Sequence, residues 1–234
     1  MILVAPDGPE RPGLEDMGSL FIPLAHLRRR GINPLRELAL TRELYRIYRK
    51  YEVSTALHFT IKPVIYGSFA ARLAGTYNIS TLTGLGYAFI SGGATMILAR
   101  GLYHQALRST ERGFFHNPDD RQLFLDGGLV TENRSGVVGG SGLRLEDYPL
   151  APYTEATPGR FLFAGRLLVD KGVREYVAAA RKAKALNQAL TFHLLGPLDS
   201  GIPAGITAAE LNEWVTEGII VYDGVAKDIH PHIR

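Results

Sequence analysis

Short apolar runs and amphipathic stretches alternate along nearly the whole chain. Residues 1–6, 54–59, 78–82 and 160–164 have the composition of buried strands, and segments with helical spacing separate most of them. Parallel strands need long connections, usually helices, so such alternation is typical of helix-covered parallel sheets. The sequence therefore predicts an α/β fold with parallel sheets.

Two helix starts share one pattern. Asn33-Pro34 and Asn117-Pro118 each place a capping asparagine before a proline at the first helical position. The helix after Asn33 carries many basic side chains on its outer face. Such a face is usually only solvated, and the alternative is adhesion to an anionic membrane.

The chain is expected to divide in two. Residues 143–159 contain three prolines, mixed charge and no sustained periodicity, after which the alternation of strands and helices restarts. We predict a first domain at residues 1–147, a linker at 148–159 and a second domain at 160–234. About three strands remain for the second domain, which is few for an open sheet, so we expect it to be incomplete.

Charge and cysteine content limit the function classes. Residues 1–110 carry 13 basic and 7 acidic side chains, whereas residues 111–234 carry 13 and 16. The basic half could face nucleic acid, a phosphate-bearing ligand or an anionic leaflet, although ordinary scatter also explains the asymmetry. The absence of cysteine excludes disulfides, thiol nucleophiles and cysteine-based metal centres, and favours a reducing cytoplasm.

The strongest local signal for chemistry lies in residues 161–172. An apolar strand ends at Gly165, Arg166 follows at once, and Lys171 comes five residues later beside a helix start. Glycine allows close approach of a ligand, arginine and lysine bind phosphate oxygens, and a helix start offers free N–H groups. The pattern predicts a diphosphate site, and the alternative is two surface cations on a loop.

A second group of polar residues follows the strand at residues 54–59. Strict alternation would place His58, Thr60 and Lys62 on one side, at the sheet edge that also holds the loop Gly84-Leu85-Gly86. His58 could act as a base or contact an acceptor, although a single histidine near a strand end is more often only hydrogen-bonded.

Other catalytic patterns are missing from the sequence. Only His230 and His232 approach metal-ligand spacing, so we predict no metal site. There is no G-x-S-x-G elbow and no P-loop, so the sequence contains no motif that indicates a hydrolase or an NTPase. No apolar run approaches the roughly 20 residues of a membrane span, and the first residues lack the basic flank of a signal peptide.

Five segments taken together resemble the family 4 glycosyltransferases, in particular the bacterial subgroup that builds O-antigen, capsule and other surface polysaccharides. In chain order they read HFTIKPVIYGSFAARLAG, STLTGLGYAF, FFHNPDDRQLF, VVGGSGLRLEDY and FLFAGRLLVDKGVREYVAAA.

The resemblance implies a GT-B architecture, with two Rossmann-like domains facing each other across a cleft. The first domain would bind the acceptor and the second the nucleotide-sugar donor. Members of the family are retaining, metal-independent transferases that commonly use UDP-sugars and often act on lipid-linked acceptors. We therefore expect no cofactor besides the donor substrate, no nucleic-acid partner, and a cytoplasmic location at the inner face of the plasma membrane.

By this resemblance, Arg166 and Lys171 would be the catalytic pair that holds the donor diphosphate, with Gly165 beside them. The Gly140-Ser141-Gly142 turn would border the donor near the interdomain hinge. The acceptor side would include six residues from the two loops after the first domain's strands: His58, Thr60, Lys62, Gly84, Leu85 and Gly86.

The sequence also departs from the family pattern. Leu143-Arg144 follows Gly142 where the family usually has Val-Asp. The family's first strand would precede residue 1, and its pair of donor-binding glutamates would follow residue 234, so we expect a chain truncated at both ends. This leaves two alternatives to an active transferase: a non-catalytic remnant that binds an acceptor lipid or a partner transferase, and a related epimerase that acts on UDP-GlcNAc.

Overall fold

The structure of the protein is a computed structural model with two compact units, Met1–Gly142 and Leu143–Arg234. It describes residues 1–8, 11–16, 19–28, 33–85, 93–149, 159–199, 201 and 204–233, without the side chains of 94 and 95. Every strand pair in it is parallel. The predicted α/β fold with parallel sheets is confirmed.

The first unit contains two sheets, one of two strands in the order β1-β2 and one of four strands in the order β3-β4-β5-β6. Its elements are β1 Ile2–Ala5, α1 Arg11–Asp16, β2 Leu20–Pro23, α2 Pro34–Lys50, β3 Thr55–Phe59, a π-helical turn Pro63–Gly67, α3 Ser68–Ala74, β4 Tyr77–Leu82, α4 Gly93–Arg108, β5 Arg112–Phe115, α5 Pro118–Asp126 and β6 Ser135–Val137.

Helix α2 forms as its sequence predicts. The Asn33 side chain accepts hydrogen bonds from the backbone N–H groups of Leu35 at 3.1 Å and Arg36 at 3.3 Å. A stripe of apolar side chains that includes Leu40 and Leu44 is buried in a cluster with residues of α3. Asn117 caps α5 in the same way, through the N–H of Asp120 at 2.7 Å.

The segment after β3 is not a single regular α-helix. It begins as a π-helical turn, Pro63–Gly67, and continues as α3, which ends at Gly75 in the left-handed region. Gly67 lies so close to the imidazole of His58 that a Cβ there would be 2.7 Å from Nε2. The wide turn thus packs bare backbone against a buried ring, which a helical spacing pattern does not reveal.

A cavity of about 620 Å³ separates β1 from β3 within the first unit. It is lined by consecutive residues of both segments, 1–4 and 54–59, and by apolar residues of α2. Side chains alternate between the two faces of a strand, so consecutive lining residues mean that the cavity runs along strand edges. Within the described chain, β1 pairs only with β2 and β3 only with β4.

The second unit has one sheet in the order β7-β8-β9, covered by two helices. Its elements are β7 Arg160–Ala164, α6 Val173–Leu186, β8 Thr191–Leu195, α7 Ala208–Thr216, β9 Val221–Gly224 and α8 His230–Ile233. Val177, Leu194 and Trp214 lie in its buried core. A capping box between Thr207 and Glu210 begins α7.

A glycine stands at the carboxyl end of each strand of this sheet: Gly165, Gly196 and Gly224. The backbones approach closely, because Gly165 N–H donates to Leu195 O at 2.9 Å and Gly196 N–H donates to Gly224 O at 2.7 Å. A Cβ on Gly196 would lie 1.9 Å from Gly165 O. Side chains are therefore excluded from the centre of this edge.

Replacing Gly196 with alanine is expected to destabilise the second unit by about 3 kcal/mol, because the new methyl group collides with backbone and φ is +145°. Gly218→Ala is the matched control, since φ is +69° there and no atom lies within 4 Å of the position that a Cβ would take. It should cost only about 1 kcal/mol. Urea unfolding followed by the emission of Trp214 measures both, and equal losses would contradict the close approach.

Candidate functional site

The carboxyl edge of the second unit's sheet presents bare backbone next to cationic side chains. Gly165 ends β7 with φ at +153°, and Arg166 follows it with an exposed side chain. Leu167 and Leu168 are buried, and Leu167 N–H donates to Pro197 O at 3.1 Å. The two buried leucines and this hydrogen bond thus fix the loop backbone to the unit, while the guanidinium of Arg166 remains accessible.

Arg166 is paired with an anion that the sequence pattern does not reveal. Its Nη2 lies 2.5 Å from Oδ2 of Asp199, with 53% of the Arg166 side chain exposed and 19% of that of Asp199. Because more than half of the Arg166 side chain lies in water, we expect the pair to contribute only about 1 kcal/mol and to open for a stronger anion. Asp199 lies just after β8 at the same sheet edge, and its position a few residues after the mostly apolar run at 192–195 is the signal that the sequence offers.

Lys171 is positioned by the turn that leads into α6. The turn Val169–Lys171 ends at Gly172, whose φ of +81° places it in the left-handed region at the N-cap of α6. Gly172 has no side chain to cap the helix, so the first N–H groups of this 14-residue helix have no side-chain cap. Lys171 is exposed at this positive end of the helix dipole.

In the first unit, His58 is buried rather than presented to solvent. Only 4% of the residue is exposed, and its Nε2 shares a hydrogen bond of 2.9 Å with the hydroxyl of Tyr48. Burial lowers the pKa of His58 to about 4 and raises the pKa of Tyr48. Its Nδ1 has no hydrogen-bond partner within the described residues. This environment keeps the imidazole neutral at physiological pH.

The alternation expected for His58, Thr60 and Lys62 is wrong, because β3 ends at Phe59. Thr60 adopts a left-handed conformation with φ at +68°, and Lys62 already has helical backbone angles before the π-helical turn. The Lys62 side chain turns to Glu37 on α2, with Nζ 2.6 Å from Oε1. The sequence pattern alone does not identify Glu37 as this partner.

The structure describes some of the other residues that were predicted to form a site in the first unit. Gly84, with φ at +153°, and Leu85 follow β4, and Leu85 packs against the apolar cluster that also receives Ile61 and Tyr66. The loops after β3 and β4 therefore meet at one sheet edge. Gly86 lies outside the described residues, and the exposed turn at residues 140–142 follows β6. The donor and acceptor contacts of these residues stay predictions.

A further polar cluster surrounds Asp223 on β9. Asp223 is contacted by Nδ1 of His193 at 3.0 Å, by His232 at 3.7 Å and by Arg160 at 4.0 Å. In the part of the chain that the structure describes, no group of three or more histidine, cysteine, aspartate or glutamate side chains is arranged to hold a metal ion.

Comparison with solved structures identifies the fold. The chain matches Anabaena Alr3699/HepE in complex with UDP-glucose at a TM-score of 0.73 and 17% identity, covering 99% of this chain and 63% of that one. It matches a glycosyltransferase from Rickettsia africae ESF-5 at 0.66 and 16% identity, covering 97% and 60%. It also matches a UDP-N-acetylglucosamine 2-epimerase at 0.55 and 13% identity, covering 91% and 55%.

These likenesses show a GT-B glycosyltransferase fold with Rossmann-like units. The chain spans about three fifths of the length of the first two structures. No protein-family model matches the chain, and no curated protein sequence matches it.

The buried His58 predicts a pH-dependent stability of the first unit. Its pKa is about 4 in the folded chain and about 6.5 when unfolded, so the unfolded state binds more protons between these values. The unfolding free energy should therefore fall by about 2 kcal/mol from pH 7.5 to pH 5. Urea unfolding followed by circular dichroism measures this. His58→Gln should remove most of this loss of unfolding free energy, and the control His116→Gln should retain it. If the loss is unchanged in His58→Gln, His58 is not its source.

Proposed function

We propose that the protein is a family 4 glycosyltransferase that binds a UDP-sugar at the carboxyl edge of β7–β9 and transfers the sugar to a lipid-linked or polysaccharide acceptor. The observation that carries this proposal is the bare backbone edge at Gly165, Gly196 and Gly224 with Arg166 and Lys171 beside it. Ligands of open α/β sheets bind at the carboxyl ends of strands, and this edge combines space with positive charge.

The charges at this edge suit a diphosphate. Arg166 offers a planar fork of N–H donors, Lys171 offers a point charge, and the start of α6 offers backbone N–H groups. Asp199 holds the guanidinium in place until a more highly charged anion replaces it. HepE, which has the same fold, is seen with UDP-glucose, and this supports a UDP-sugar as the donor.

The proposed chemistry follows from these charges. The bond between the anomeric carbon of the sugar and the β-phosphate oxygen breaks, and its electron pair remains on the UDP oxygen. The oxygen of the acceptor hydroxyl forms the new bond to the anomeric carbon, and its proton passes to the released diphosphate. Negative charge therefore grows on the diphosphate, where Arg166 and Lys171 stabilise it. We propose that these fixed cations take the part that a divalent metal plays elsewhere, with retention at the anomeric carbon as the resemblance implies.

A lipid-linked acceptor would bring the protein to the inner face of an anionic membrane in the cytoplasm. Helix α2 supports this part of the proposal, since Leu35 and Leu38 at its start are 79% and 68% exposed beside basic residues such as Arg36 and Arg42. Exposed leucines next to basic side chains are the composition that binds anionic lipid surfaces. No helix in the described ranges combines the length and the apolar character needed to cross a bilayer.

Titration calorimetry of the chain with UDP and UDP-glucose tests the donor site. Both should bind, and Arg166→Ala and Lys171→Ala should each weaken binding at least about tenfold, because each removes a charge-assisted contact to phosphate. Asp199→Asn should bind at least as tightly as the unmodified chain, since it removes the competing anion.

Arg181→Ala is the matched control, because Arg181 forms a similar exposed pair with Glu217 at 2.6 Å on the same unit. It should leave the affinity unchanged. A chain that binds neither UDP nor UDP-glucose would instead support the non-catalytic alternative. Conversion of UDP-GlcNAc without any acceptor would support an epimerase.

A further inference from the structure

One carboxylate in the first unit is buried with half of its hydrogen-bonding capacity unused. Glu37 on α2 is 5% exposed, and its Oε1 accepts a hydrogen bond from Lys62 Nζ at 2.6 Å. Its Oε2 is buried and has no hydrogen-bond partner among the described residues. Buried carboxylates normally have donors on both oxygens, because removing the charge from water is costly.

The ion pair alone does not account for this burial. A link between α2 and the turn after β3 needs only Oε1, and an exposed glutamate could provide it at less cost in desolvation. An ionised carboxylate has about four acceptor positions, so Oε2 can accept from an incoming O–H or N–H group. Because Oε2 is itself buried, a donor from outside the protein can fill this vacant acceptor position once the side chains packed over Oε2 move aside.

The surroundings of Glu37 define what kind of donor fits. Burial, followed by the charge of Glu37, raises the pKa of Tyr66 to about 12, which places a protonated phenol close to the carboxylate. Lys62 supplies N–H donors, and the exposed Thr60 stands between Lys62 and the end of β3. Acceptor and donor groups thus lie side by side at a carboxyl sheet edge, which matches a molecule with neighbouring hydroxyl groups.

We propose that Glu37 and Lys62 bind adjacent hydroxyl groups of a pyranoside, with Oε2 of Glu37 accepting a hydrogen bond from one of them. That the pyranoside is the acceptor sugar rests on the proposed transferase function. The binding of a pyranoside by this pair does not depend on donor binding in the second unit. Glu37 is in this view a residue that selects the acceptor by its hydroxyl pattern.

The test uses four probes: the methyl α-pyranosides of glucose, galactose, mannose and N-acetylglucosamine. Each is titrated into the full 234-residue chain while backbone amide NMR shifts are recorded. At least one probe should bind at millimolar concentration and shift the amides of Glu37, Lys62 and Tyr66. Glu37→Gln should weaken that binding at least about tenfold, and the deoxy analogue of the same probe should lose a similar factor on the unmodified chain.

Glu43→Gln is the matched control on the same helix. The carboxylate of Glu43 accepts from the N–H groups of Ala25 and His26 at 2.9 Å and 3.1 Å, away from Lys62. It should bind the probe as the unmodified chain does. If Glu37→Gln fails to fold, Lys62→Met tests the same pair and should also weaken binding.

Three results would overturn the proposal: no probe shifts these amides, Glu37→Gln loses stability but keeps its affinity, or every deoxy analogue binds equally well. The UDP titration separates this proposal from the transferase proposal. Pyranoside binding without UDP binding would support the Glu37 site and contradict the transferase proposal. UDP binding without pyranoside binding would support the transferase proposal and contradict the Glu37 site.

Discussion

The contact between the backbones at Gly165 and Gly196 is the constraint on which the candidate binding edge of the second unit depends. No side chain fits between these residues, so β7 and β8 end with their main chains almost touching. This contact removes bulk from the centre of the edge and places Arg166 at its border. The buried Leu167 and Leu168 then hold the following loop to the core. The same residues thus determine the packing of the sheet and the access of a ligand to it.

The two units use the carboxyl ends of their strands in different ways. In the second unit the ends are bare and the charges stand at the rim, an arrangement suited to a large, highly charged group. In the first unit side chains occupy the equivalent position, where Lys62 reaches across to Glu37 and Leu85 packs against the same apolar cluster as Tyr66. This denser, partly buried edge favours recognition of a neutral molecule with directional hydrogen bonds.

The sequence predicted much of this architecture, because its signals are local. Asparagine and proline marked the starts of α2 and α5. The Arg166 loop was also singled out from neighbouring residue types, and its contact with phosphate stays a prediction. In each case, residues within about five positions of one another carry the information.

What the sequence did not predict depends on contacts between distant residues. Asp199 is 33 positions from Arg166, and Glu37 is 25 positions from Lys62. The alternation proposed for His58, Thr60 and Lys62 failed because the strand ended one residue after His58. A polar residue's role is set by its partner across the fold, and spacing along the chain does not identify that partner.

The cavity between β1 and β3 has a consequence for the behaviour of the protein in solution. Within the described chain, both strands have an unpaired row of N–H and C=O groups along the cavity. Unpaired strand edges are templates on which other extended chains can add. In the isolated chain, water must form hydrogen bonds with these groups. The leucine side chains that line the cavity make this hydration unfavourable. Extended segments of another chain could therefore add at this seam, which would make it a site of self-association at high concentration.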